Sequence, residues 1–518
     1  DETLGKELSR LVDAELLYRR GPADQARYVF KHVLIQEAAY HSLLTRTRQR
    51  YHAQIAEVLE QRFPDIRDIH PEVIAHHYTE AGRSAEAIRY WHRAGARAVE
   101  TSANVEAIGH LGKALRFLDA QPDTPARREQ ELTLRLALGA PLLMIKGQTA
   151  AEVEQTYARA HGLAQEQGDE HQRFAALVGL WRFHLNSAKL GVAHDLGQQC
   201  LAVAEQVQDA RLLQEAHQML GSVFLYQGEL VSARRHLEQG ADLDTLPQNR
   251  AAVFRRGTEP GIVCRCRLAW TLWMLGYPDQ AVARIEEALA RARDLSHAPS
   301  LAFAFHYAAV LHQSRREPHL AQRWAEATIA LANEHRFVYW LAAGMCVRGW
   351  ALAEQGALDE GIAELRQGLA SWRSIRIELA TLHMLARMAE AHRNAGHVDE
   401  ALSVLDEGAG PAHRGNEERH YAAELHRLRG ELLLQQTVPD ERRAEACFQR
   451  AFEIAEQQRG RSLQLRAALS LGRLWQRDAR SVDARRLVTA VYGWFTEGQD
   501  TPDLQEARAF LAGTTVSR

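Results

Sequence analysis

The chain has 518 residues, too many for one ordinary hydrophobic core, so an extended array or several domains is expected. Hydrophobic residues make up 46% and charged residues 25%, and a net charge of -3 argues against a strong non-specific pull toward nucleic acid or an anionic membrane. No apolar run reaches the roughly 18 residues of a membrane span. The five scattered cysteines suit reduced thiols in a cytoplasm better than a disulfide framework. Cys264 and Cys266 form a lone C-x-C without the second pair that a zinc site needs.

In chain order, Leu4, Leu8, Leu11 and Val12 predict a short amphipathic helix. Two extended stretches follow, 14–18 and 27–30, separated by the turn-rich RRGPADQ. Helices are expected over 32–44 and 46–62, and this is the only place where strand is expected. Helix, hairpin, helix is the pattern of a winged helix seen from its second half. Because the chain opens at Asp1 inside an apparent helix, the expectation is a piece of something longer.

Beyond Pro64 the pattern is helix upon helix. A small residue recurs at Ala193, Ala233, Ala281, Ala321, Gly361, Ala401, Ala444 and Ala484, mostly forty apart. Twelve residues earlier stands another small one, at Gly221, Ala269, Ala309, Gly349 and Ala389. Such a comb marks one helical hairpin copied along the chain, since small side chains let two helix backbones approach. Gly228, Gly276, Gly356 and Gly396 are placed to supply the left-handed residue that ends each first helix. The spacing slips at 243–261 and at 435–443, and another long loop falls at 408–420.

Small-x3-large-x2-small, as in Ala281/Ile285/Ala288 and Ala444/Phe448/Ala451, resembles the tetratricopeptide pattern with a longer period. The fold expected is therefore all-α: a right-handed superhelical solenoid of antiparallel helix pairs, with a small N-terminal winged-helix remnant containing a short β-hairpin. The divisions expected are 1–62 for the remnant, 63–127 for junction helices and a first repeat, 128–511 for the array, and 512–518 for a tail.

No P-loop is present: Gly5-Lys6-Glu7 and Gly112-Lys113-Ala114 lack the glycine spacing and the hydroxyl that holds magnesium. H-E-x-x-H, G-x-S-x-G, kinase and Rossmann signatures are missing too, so the chain is expected to be non-catalytic and to hold no cofactor or metal. His76 and His77 are adjacent, diverge by about 100° on a helix, and are poorly placed to chelate one ion. Trp270 and Trp350 share a register and are expected to pack between hairpins. Trp340 and Trp372 lie off that register and are the candidates for contact with a ligand or partner on the inner wall. The basic pairs 234–235, 255–256, 315–316 and 442–443 read as solvated faces or turn ends.

The stretch FKHVLIQEAAYHSLL at 30–44, the basic helix after it, and HPEVIAHHYTEAGRSAEAIRYWHRAGARA at 70–98 resemble the junction between ATPase module and repeats in bacterial STAND-type signalling ATPases. The segment AVYGWFTEGQDTPDLQEARAFL at 490–511 resembles the closing segment of the group linked to class III adenylate/guanylate cyclases. That resemblance implies a regulatory arm that binds a protein or small molecule on its concave face and controls an upstream ATPase and a cyclase or kinase effector. ATP/ADP and Mg would belong to the full-length parent, and the resemblance gives His32 a contact to the β-phosphate of ADP there. Two other readings stay open: the arm of a maltose-regulator-type transcriptional activator, and a stand-alone scaffold for protein partners. Neither nucleic acid nor membrane is an expected direct partner.

Overall fold

The small residues of the comb are where paired helices touch. A Cβ on Gly361 would lie 2.5 Å from the carbonyl oxygen of Gly349, and one on Gly349 only 2.7 Å from the carbonyl oxygen of Gly361. Ala193, Ala233, Ala281, Ala321, Ala401, Ala444 and Ala484 are all fully buried at the equivalent contact. In the computed structural model, which describes residues 2–21, 26–101, 103–243, 258–409 and 415–513, this contact repeats from hairpin to hairpin. Among the described residues there are twenty-six helices in sequential antiparallel pairs and one two-stranded sheet, so the fold is an all-α tetratricopeptide-like solenoid with a small N-terminal hairpin.

The hairpin pairs Leu17–Arg20 with Arg27–Phe30, antiparallel, Leu17 facing Phe30. Its first strand starts three residues later than the sequence suggests. The helix Glu2–Asp13 closes through Glu15 in the left-handed region (φ 60°), and the Leu16 N–H reaches back to the Leu11 carbonyl at 3.0 Å. Helices Val33–Ser42 and Thr45–Arg62 follow.

The chain divides into two units, Asp1–Pro141 and Leu142–Arg518. The division falls inside the helix Pro125–Lys146 at Pro141, a residue with no N–H to give to the preceding turn. In the second unit the first helix of a pair ends at a glycine with positive φ at four turns: 81° at Gly228, 95° at Gly276, 94° at Gly356 and 77° at Gly396. The insertion at 244–257, with Arg255 and Arg256, lies outside the described residues, as do 410–414 and the tail from 514.

The second unit closes on itself. The last carbonyls of a helix have no partner within that helix. Here they are met by amides and hydroxyls at the starts of later inner helices. The Asn186 carbonyl accepts from the Glu378 N–H at 2.9 Å, and the Tyr226 carbonyl from the Arg419 and His420 N–H groups at 2.8 and 3.2 Å. The Trp273 carbonyl accepts from Ser462 Oγ at 2.5 Å, a partner 189 residues further along. Helix C-termini thus face helix N-termini, the favourable order for their dipoles. An open inner groove, as a loosely wound array would have, is replaced by a seam between successive turns of the superhelix.

Arg315 and Arg316, read from the sequence as a solvated face or a turn end, stand at the turn that closes Ala298–Ser314 and belong to this seam. Arg316 Nη1 reaches Asp503 at 3.2 Å and Glu506 at 2.7 Å, and Arg315 Nη1 donates to the Pro278 carbonyl at 2.8 Å. Glu418 is buried here and accepts from the Ala380 N–H at 2.6 Å; burial pushes its carboxyl up to about 7.

Two outcomes follow from this packing. Gly361→Ala should cost about 1–3 kcal/mol in urea unfolding, because the new methyl group meets backbone, whereas Gly356→Ala meets open space and costs only about 1 kcal/mol of backbone strain. A raised folded-state pKa means that Glu418 contributes stability below its unfolded value near 4.5 and loses it as pH rises through about 7. Glu418→Gln should therefore gain on the wild type between pH 5 and pH 8, by up to about 3 kcal/mol, read from urea midpoints at the two pH values.

Candidate functional site

The forty-residue spacing that aligns the hairpins also aligns their inner faces. Arg267, Tyr307, Val347, Arg387 and Arg427 share one register on the helices Pro260–Leu275, Ala298–Ser314, Val338–Glu354, Thr381–Asn394 and Ala422–Gln435. Where four of these helices meet the end of Ala210–Gln227, they line a chamber of about 40 Å³. Aromatic rings build its walls: Trp270 lies edge-on to Tyr307 with centroids 6.3 Å apart and to His383 at 5.5 Å, and Tyr339 tilts against Trp372 at 4.8 Å.

Polar groups line the same space. Gln313 and Arg387 are 1% and 3% exposed, and His383 is 6% exposed. Gln313 Nε2 and Oε1, His306 Nδ1, His383 Nε2, Trp372 Nε1, and Arg387 Nε and Nη2 have no hydrogen-bond partner. Buried polar atoms are normally paired, and each exception costs on the order of 1–3 kcal/mol. A chamber of about 40 Å³ has room for two or three waters or one small solute.

The charges around it are unevenly matched. Arg387 Nη1 donates to Glu390 Oε2 at 2.5 Å, and the same oxygen accepts from Trp350 Nε1 at 2.9 Å. Burial alone would raise the Glu390 carboxyl, but Arg387 and Arg393 overcome it and hold it at about 2. Behind Tyr226 and Tyr307, buried Arg267 donates to the Tyr307 hydroxyl at 3.2 Å and to Ser222, and no carboxylate among the described residues pairs with it. Burial lowers His306 to about 4 and His420 to about 3, and pushes His383 well below its usual value, so all three rings are neutral near pH 7.

Trp372 is buried in the chamber wall. Trp340 stands half-buried beside it, its ring 5.5 Å from those of both Phe303 and His306 and 4.5 Å from Tyr339. Trp270 packs between hairpins through Nε1 to Ser314 Oγ at 3.1 Å and also faces the chamber. His32 lies far along the sequence in the other unit. It is the exposed residue before Val33–Ser42, with φ -135°, and its side chain makes no capping bond.

In that unit His77 pairs with His52 (Nδ1 to Nδ1, 2.8 Å), and Tyr40 reaches His52 Nε2 at 3.0 Å. Burial and His52 together hold His77 at about 4. Among the described residues no three His, Cys, Asp or Glu side chains are grouped to hold a metal ion. Cys264 and Cys266 are free and fully buried, and burial raises both thiols.

Repeated helix pairs with a small-residue contact and a side-chain-lined inner wall define a tetratricopeptide-like repeat protein. No protein-family model matches the chain. An uncharacterized protein of Rhizobium meliloti (strain 1021) is 24% identical over 470 residues, which cover 90% of this chain and 45% of that protein. The chain therefore spans about half the length of the curated relative it matches. Among solved structures, a Rap protein complexed with competence and sporulation factor is similar at 13% identity and a TM-score of 0.47, covering 78% of this chain and 99% of that one. The APC/C hetero-tetramer Cut9–Hcn1 gives 12% identity and a TM-score of 0.47, with 91% and 92% covered. The apo quorum sensor NprR from B. thuringiensis gives 14% and 0.41, with 72% and 99% covered.

The unpartnered amide gives a test of what the chamber costs. Gln313→Leu keeps the shape and removes two unsatisfied atoms, so the protein should become more stable by about 1–3 kcal/mol in urea unfolding. A loss of stability would mean that Gln313 already has partners.

Proposed function

We propose that this chain is the non-catalytic sensing arm of a STAND-type signalling ATPase, taking a small-molecule ligand in the inner chamber and passing its presence to an upstream ATPase and nucleotide cyclase. The observation that carries the reading is the chamber's place. It joins the early helices Ala210–Gln227 and Pro260–Leu275 to the later Thr381–Asn394 across the seam, and it is lined with buried polar atoms that lack partners.

A ligand there would bond groups from both sides of the seam and favour the closed turn. A conformational equilibrium shifts only through such differential affinity. Further support comes from the junction motifs at 30–44 and 70–98 and from a relative about twice this chain's length. The nucleotide and Mg of the resting state would be held by an upstream domain. His32, exposed and free of a capping bond, fits a single contact to that nucleotide but supplies no phosphate cradle.

Arg316 offers a test without a known ligand. Arg316→Ala removes the pairing with Asp503 and Glu506 and loosens the seam. In the intact longer protein it should change ATP turnover about 5-fold or more, the lower end of ordinary coupling. Unchanged turnover in a folded variant with a measurably weakened seam would sink the reading.

A further inference from the structure

The first unit holds two imidazole nitrogens at the separation of neighbouring ligands on one metal ion. His52 Nδ1, on the helix Thr45–Arg62, lies 2.8 Å from His77 Nδ1, on Pro71–Glu80. Nitrogen–metal bonds of about 2.0–2.1 Å meeting at a right angle span about 2.8–3.0 Å, whereas a tetrahedral angle spreads them to about 3.3–3.4 Å. We propose that His52 and His77 form a two-histidine chelate for a divalent transition metal that favours right angles, copper(II) or nickel(II) in preference to zinc. The site lies within the first unit and does not depend on the reading of the chamber.

Three observations support it together. First, His52 is already fixed as a ligand would be. The Tyr40 hydroxyl stands 3.0 Å from His52 Nε2 and donates to Glu80 Oε2 at 3.3 Å, so it accepts the Nε2 proton and leaves the lone pair on Nδ1. Metal-binding histidines are oriented in this way, by a partner on the other ring N–H. Second, both rings are neutral near pH 7, because burial lowers them, His77 to about 4, and no added proton competes for the nitrogens. In the free protein His77 Nδ1–H donates to His52 Nδ1. Moving that proton to His77 Nε2 and turning the rings brings both lone pairs to one point. Third, the pair lies at the surface: His77 is half-buried, and His76 and Glu80 on the same helix are exposed. No third side chain converges on the pair, so water fills the remaining positions. Arg48, a nearby cation, is drawn off over the Tyr40 ring at 5.0 Å and to His41 Nδ1 at 3.2 Å. A second pair lacks this arrangement. His217 and His236 have Nδ1 atoms 3.0 Å apart, but Arg235 Nη2 donates to His236 Nε2 at 3.3 Å and so places the ring proton on the inner nitrogen.

The test is calorimetric titration of this chain, free of any affinity tag, with nickel(II) and with zinc, and electron paramagnetic resonance with one equivalent of copper(II). One strongly bound nickel per chain, weaker zinc, and a copper signal split by two nitrogens are expected. His77→Gln removes a ligand and should weaken nickel binding by more than about tenfold. Tyr40→Phe keeps both ligands but frees the outer nitrogen of His52, and should weaken binding about tenfold, which secures the test if the histidine variant does not fold. His236→Gln should leave the affinity unchanged. No saturable binding, zinc tighter than nickel, unchanged affinity in either folded variant of the first unit, or an equal loss in His236→Gln would overturn the proposal.

Discussion

Two helix backbones can approach closely only where nothing larger than a methyl group stands between them, and the rest of this array depends on that contact. Gly349 against Gly361, with buried alanines at the equivalent positions of other hairpins, gives every pair nearly the same thickness. Equal units stacked in series curl with a constant step. That step returns the ends of inner helices to the starts of others about 190 residues later, as with Trp273 and Ser462. Carbonyls that a helix end leaves open are satisfied there by the next turn of the superhelix. The seam, the chamber and the charge pairs around it all follow from a spacing set by the smallest side chains in the chain.

The chamber and the seam handle polarity in opposite ways. In the chamber, polar atoms are buried without a partner elsewhere in the protein. Next to it, charges are buried in pairs. From Arg387 and Glu390 the ladder runs through Arg393, Glu431, Arg427 and Glu424 to Arg466, Asp503 and Arg316. Buried ion pairs add little net stability because desolvation offsets their attraction, but breaking one is costly. Such a ladder therefore fixes which helix faces which more than it holds the fold together. It also places the segment around Asp503 and Glu506 in electrostatic contact, step by step, with the guanidinium in the chamber.

The repeat architecture was legible in the sequence because its cause is local. A small residue at each backbone contact and a glycine at four turns leave a periodic trace. The hairpin of the first unit was legible for the same reason, apart from the three residues that Glu15 in the left-handed region takes from its first strand. The chamber was only partly visible. Trp340 and Trp372 stood out as tryptophans off the common register, whereas Trp270 read as packing and does both. Arg387 and Tyr307 sit on the same forty-residue spacing as Arg267 and Arg427, so their shared face could have been read. What no pattern reveals is a missing partner. Gln313 looks the same in the sequence whether its amide is satisfied or not, and Arg316 reads as a solvated or turn-end arginine until Asp503, 187 residues away, arrives beside it.

The seam also bears on how such an array can change length over evolution. Several of its bonds use backbone groups, as where the Glu378 and Arg419 amides meet the Asn186 and Tyr226 carbonyls, and backbone is the same in every repeat. A hairpin gained or lost at an end of the stack would find similar groups waiting and could be accommodated without new chemistry. One gained or lost between Trp270 and His383 would slide every later helix one position along the seam. The backbone bonds could form again in the new register, but Trp270 would no longer meet His383, and Arg387 would no longer close the chamber. Repeat number is thus free at the margins and frozen across one turn.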